Sequence, residues 1–234
     1  RVAADDFYVV TGTGFRTHDR AWIAANLGTD LDVRLQDVSE AFGTLSLMGP
    51  RSRDILGSVC DDDLADDAFP YMSVRTLRIG GASVRALRVT YVGELGWELH
   101  VDRDDLAAVF DAIVAAGGAH GLAHAGYRAI ESLRLEKGYR AWGSDIGPDH
   151  TPLEAGLAWA VKLDTDVPFL GRDALEAAAT QRPTKRLVCF TVDDPDVVLL
   201  GRETILCDGE AVGWLTSAGW GYTVGANIGY GYVS

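Results

Sequence analysis

Two carboxylates four residues apart, Glu94 and Glu98, stand in the stretch RVTYVGELGWELHVD (88–102), which is otherwise aromatic and aliphatic. A carboxylate offers two oxygens that accept two parallel hydrogen bonds, and its charge strengthens both. In an aromatic pocket such a group suits the edge of a flat heterocycle with adjacent N–H donors. In an extended strand the two acids would share a face, because side chains repeat every two residues. Gly93 and Gly96 argue for a turn or bulge instead. The stretch is therefore expected to be a hairpin, with Glu94 near the bend and Glu98 on the returning arm. Trp97 and Leu99 would occupy the other face of that arm. Glu94 reads as a solvated turn residue. Spacing alone leans toward a solvent-facing Glu98 as well, on a half-exposed strand.

A second stretch, ESLRLEKGYRAWGSDIGPDHTPLEAGLAWAVKLD (131–164), mixes Arg134, Glu136, Lys137 and Arg140 with Trp142 and Trp159. It is either a salt-bridged helix followed by a loop that packs its tryptophans, or a basic and aromatic wall for an anionic planar ligand. Spacing does not separate the two. The TGTG at 11–14 lacks the third glycine of a dinucleotide loop and reads as a strand-to-helix turn. His120 and His124 have helical metal-ligand spacing, but they lie among glycines with no third ligand in view, so no metal site is expected. No G-x-S-x-G and no cysteine in a nucleophile context occurs.

The elements that would carry these residues come in mixed order. DDFYVVTG (5–12), DVRLQDVS (32–39) and FGTLSLMGP (42–50) read as strands. THDRAWIAANLG (17–28) reads as a helix capped by Gly28, and RSRDILGSVC (51–60) as a short helix after Pro50. Residues 73–102 read as strands broken at Gly80-Gly81 and at the turn holding Glu94. Two helices follow, over 103–121 and 121–139, the second ending at Gly138. After a helix in GRDALEAAATQRP, the chain turns to strands and glycine turns, with a hairpin signal in CDGE (207–210). The expected fold class is α+β, with one region over 1–183 and a small all-β domain over 184–234.

The chain has 234 residues, 47% of them hydrophobic and 24% charged, which is an ordinary globular composition. A net charge of −13 argues against nucleic acid or an anionic membrane as partner. Three widely spaced cysteines form neither a disulfide framework nor a zinc site, which makes a reducing cytoplasm the default expectation. The chain opens RVAADDFYVV without an initiator methionine and stops in strand-like IGYGYVS, so both regions are expected to be cut from something longer.

Six segments in this order, MGPRSRDIL, YVGELGWELHV, SLRLEKGYRAWGSDI, TPLEAGLAWAVKLD, FLGRDAL and VGWLTSAGWGYTVGANIGYGYV, resemble the folate-binding aminomethyltransferase family of the glycine cleavage system. They look closest to its branch fused to dimethylglycine and sarcosine dehydrogenases, and the resemblance covers nearly the whole chain. It implies an α+β folate-binding region followed by a barrel-like β domain, arranged around a central channel. It implies that Glu98 clamps the amino and N3–H edge of a pterin, with Tyr91 packing nearby. Trp159, Val10 and Gly12 fall on pocket-lining positions by the same matching. Two departures are visible: Gly12 stands where the family often has asparagine, and Ile130-Glu131 where the stand-alone transferases have Arg-Asp. No aspartate here matches the family's catalytic motif, and the catalytic residue is left unassigned.

The implied function is capture of the one-carbon unit released by oxidative demethylation of dimethylglycine or sarcosine, yielding 5,10-methylenetetrahydrofolate. The implied cofactor is tetrahydrofolate, and FAD is expected only in an upstream domain of the same chain, if present. The alternatives are a stand-alone glycine-cleavage aminomethyltransferase and a folate-binding regulatory module without chemistry.

Overall fold

The computed structural model describes residues 1–234 as two four-stranded antiparallel sheets with five α-helices, an α+β fold. The first sheet holds β1 (Phe42–Met48), β2 (Val74–Ile79), β3 (Ala82–Leu87) and β4 (Gly96–Asp102) in the order β1-β4-β3-β2. β4 shows the period-two alternation its sequence predicts. Trp97, Leu99 and Val101 are wholly buried, and their register partners Leu47, Ala86 and Val84 are buried with them. Against this face pack α2 (Ser52–Gly57), through Ile55 and Leu56, and α3 (Leu106–Gly117), through Val109 and Ile113. The spacing of four between Val109 and Ile113 is the helical spacing that brings both onto one side. Burying each such side chain contributes about 1.5–3 kcal/mol.

The second sheet holds β5 (Arg186–Val192), β6 (Thr204–Cys207), β7 (Glu210–Gly221) and β8 (Ala226–Val233) in the order β5-β8-β7-β6. Asp208 and Gly209 both take positive φ between β6 and β7, as a tight two-residue hairpin turn requires. The glycines of β8 act inside the strand and not only in turns. Ile228, Tyr230 and Tyr232 form one face and pack with Leu187 against Leu135. On the other face Gly229 leaves room for Phe190 and Leu215, which a Cβ would meet at 2.9 and 3.1 Å. Leu135 lies on α4 (Tyr127–Lys137), so this helix packs on the second sheet.

Four elements differ from expectation. Residues 5–12 and 32–39 are not strands; neither is hydrogen-bonded to another strand, and alternation alone supplies no edge to pair with. α1 (Arg16–Asn26) ends on an extended Leu27, one residue before Gly28. α4 begins only at Tyr127, since Gly121 is left-handed and Gly126 is extended. The interdomain helix is α5 (Arg172–Ala179). No helix is long and apolar enough to cross a membrane.

Candidate functional site

The first sheet has a second face, which α2 and α3 leave uncovered. Its rows are set by the strand registers: Ser46, Glu98 and Leu87 in one, Thr44, His100 and Arg85 in the next. Two residues apart on β4, Glu98 and His100 must point the same way. His100 is buried, whereas the Glu98 side chain keeps 28% of its surface exposed. The Glu98 Oε2 lies 3.6 Å from His100 Nε2. No protein hydrogen bond occupies the carboxylate, which leaves its acceptor capacity open to a ligand.

Tyr8, in the N-terminal segment 5–12, packs on this face. The Tyr8 hydroxyl meets His100 Nδ1 at 3.0 Å, its ring stands edge-on to Phe42, and the Arg85 guanidinium lies 4.1 Å over it. Val10 and Gly12 follow two and four residues later. Val10 is 50% exposed, and Gly12, with φ −64° and ψ 136°, precedes the 3₁₀ turn Thr13–Phe15. Phe15 in turn stands edge-on to Trp142, 6.2 Å between centroids.

Tyr91 sits in the β3–β4 connection and turns to the end of α4. Its hydroxyl donates to the Arg140 carbonyl at 3.0 Å and its ring stacks on Tyr139. Burial raises its phenol above the ordinary range. A cleft of about 340 Å³ opens beside it, lined by Glu94, Lys137, Arg88, Tyr71 and Tyr139 among others. Glu94, read as a turn residue, lines this cleft, and Glu98 does not. Trp159 is in a 3₁₀ turn (Ala158–Ala160) and 71% exposed. The structure thus brings Tyr8 and His100 together on the sheet face that carries Glu98, leaves Val10 and Gly12 further along the segment that holds Tyr8, and holds Tyr91 and Trp159 on separate loops.

The charged stretch 131–164 resolves largely as the salt-bridged reading. Arg134 is fully buried; it donates to Asp145 at 2.6 Å, to Ser217 Oγ at 2.7 Å and to the Tyr139 carbonyl, and it pairs with Glu131. Asp145 also accepts from the Ala141 N–H and from Thr216 Oγ1 at 2.6 Å. Arg140 donates to the Ala155 and Gly138 carbonyls, and Glu136 accepts from the Thr223 N–H. Arg134, Asp145 and Glu136 tie α4 to β7 and to the turn that follows it, whereas Trp142 and Trp159 stay exposed and are not packed by the loop. The two histidines of the 120s part: His120 meets Arg51, and His124 stacks on Phe110.

Sequence reasoning passed over Tyr8, Arg85 and His100. The signal for His100 was present, since an i, i+2 pair on a strand shares a face. Tyr8 and Arg85 carried none, because their approach to His100 is made by the fold.

Residues 1–165 match the family described as the GCVT N-terminal domain, and residues 185–234 match the glycine cleavage T-protein C-terminal barrel domain. The chain is 47% identical over 98% of its length to a mitochondrial sarcosine dehydrogenase of Mus musculus. It is 39% identical over 97% to the mitochondrial dimethylglycine dehydrogenase of the same organism. It spans about a quarter of these relatives, 25% and 26% of their lengths. Among solved structures, an aminomethyltransferase T of the glycine cleavage system from Bartonella henselae superposes over 94% of this chain and 58% of its own, with a TM-score of 0.76 at 24% identity, a likeness of fold. The cytoplasmic expectation is corrected by the names of the two dehydrogenases, both mitochondrial. The three cysteines are free, and free cysteines do not specify a compartment.

Proposed function

The chain belongs to the glycine cleavage T-protein family, and on that premise we propose that it binds tetrahydrofolate for one-carbon transfer within a larger flavin-dependent dehydrogenase. The donor in this reading is the methylene unit from oxidative demethylation of sarcosine or dimethylglycine, and the product is 5,10-methylenetetrahydrofolate. The identity to the two dehydrogenases supports this donor over a lipoyl-bound aminomethyl group, and their names extend a mitochondrial setting to the proposal.

One observation carries the reading: Glu98 is held on a rigid strand, partly desolvated, with no protein hydrogen bond on its oxygens. A carboxylate so placed accepts two parallel N–H donors, the pattern a pterin's amino group and N3–H present. Tetrahydrofolate would supply the two nitrogens that take the one-carbon unit. Glu98 would hold and orient the ring, while Val10 and Gly12 would border it on the strap carrying Tyr8. Tyr91 and Trp159 would line the approach. Holding the folate beside the source of a reactive unit gives a proximity gain and keeps that unit from diffusing away. FAD belongs, in this reading, to another part of the longer chain.

Calorimetric titration of tetrahydrofolate into the protein and into Glu98→Gln tests it. The loss of a charge-assisted pair is expected to weaken binding by about ten- to a hundred-fold. Unchanged affinity in a folded variant overturns the assignment. Binding without turnover of formaldehyde and tetrahydrofolate by the intact protein would instead indicate a folate-binding module.

A further inference from the structure

His100 poses a problem of hydrogen bonding. Its ring is buried, its Nδ1 meets the Tyr8 hydroxyl at 3.0 Å, and its Nε2 is buried without a hydrogen-bond partner. The nearest acceptor is Glu98, at 3.6 Å. A neutral imidazole donates from one nitrogen and accepts at the other, and the partner of one decides the role of the other.

Two neutral arrangements are open. If Tyr8 accepts from Nδ1–H, then Nε2 turns a lone pair toward the Glu98 carboxylate, an unfavourable contact. If Tyr8 donates to Nδ1, then Nε2 carries the hydrogen and points it at Glu98. Only the second form turns a hydrogen, and not a lone pair, toward the carboxylate. Arg85, the register partner of His100 on β3, packs its guanidinium over the Tyr8 ring that carries this hydroxyl.

We propose that His100, set in its Nε2–H form by the Tyr8 hydroxyl, is a positioning residue for Glu98. It would donate to one carboxylate oxygen and thereby direct the remaining lone pairs toward a bound heterocycle. The strap 5–12 would then act on the ligand twice: directly through Val10 and Gly12, and indirectly through Tyr8. The proposal rests on the reading of Glu98 as the folate-binding carboxylate.

The test has one arm that needs no folate. Long-range nitrogen–proton correlation spectra of protein with labelled histidine, assigned with His100→Gln, should show His100 as the Nε2–H tautomer. Tyr8→Phe, which removes only a hydroxyl, should abolish that preference. A dominant Nδ1–H form, or a tautomer indifferent to Tyr8→Phe, overturns the proposal. In the second arm, His100→Phe should weaken tetrahydrofolate binding about tenfold, and His100→Gln, which keeps an N–H donor, should restore most of it. If Glu98→Gln weakens binding and His100→Phe does not, the positioning role is overturned while the folate site stands. If Glu98→Gln has no effect, the folate reading fails, whatever tautomer the spectra report.

Discussion

Arg134 and Asp145 meet at 2.6 Å with neither side chain exposed to water, and their ion pair joins the end of α4 to the second sheet. Asp145 completes the link by accepting from Thr216 of β7, while Arg134 reaches Ser217. A charge in this position is tolerated only because every neighbour is a partner. Asp145→Ala should therefore cost about 3 kcal/mol, since it leaves the buried Arg134 with the half-exposed Glu131 as its remaining counter-charge. Urea unfolding measures this, and a loss below about 1 kcal/mol would show the pair to be incidental. The apolar double variant, Arg134→Met with Asp145→Leu, should lose less than either single change implies.

Tyr232 predicts an alkaline limit. Its hydroxyl is buried without a partner, and burial pushes its pKa up to about 12. The unfolded chain ionises a tyrosine near pH ~10. Because the folded value is the higher, the contribution to stability is whole below pH ~10 and is lost as the pH rises toward 12. Tyr232→Phe removes the ionisation and a hydroxyl that makes no hydrogen bond. It should be no less stable at pH 7 and should lose less between pH 8 and 11. Parallel unfolding curves for the two proteins decide the matter.

Trp159 separates folding from binding. With 71% of its surface exposed, Trp159→Ala should change stability by no more than about 0.5 kcal/mol. If it lines the folate approach as proposed, the same change should weaken tetrahydrofolate binding and remove part of the tryptophan fluorescence that folate quenches. An unaltered titration would strike Trp159 from the site.

Gly138 closes α4 in the left-handed conformation, φ 82°, with its N–H bonded to Leu135. A Cβ there would find space but the wrong backbone region. Gly138→Ala should cost about 1–2 kcal/mol in thermal unfolding. A neutral result would mean that the helix end relaxes without strain.

Much of this architecture was legible in the residue order. The alternation Trp97-Glu98-Leu99 assigned each face of β4 correctly, because a strand's period leaves no other arrangement once three apolar residues alternate. The glycine pair at 80–81 and the CDGE turn marked hairpins for a reason equally local, the need for positive φ. The same local logic failed at 5–12 and 32–39, where alternating apolar residues lack a strand to pair with.

By itself the sequence determined the periodic elements, the turns and the family, since each is written in neighbouring residues or in motifs of fixed order. Only the tertiary structure decided that Tyr8 would reach His100 across 92 positions, that Arg134 would be buried against Asp145 and not displayed to a ligand, and that Tyr91 would face the end of α4. Those contacts join segments distant along the chain. Their energies depend on burial and on which donors and acceptors the packing leaves unmatched, and neither is a property of any one stretch.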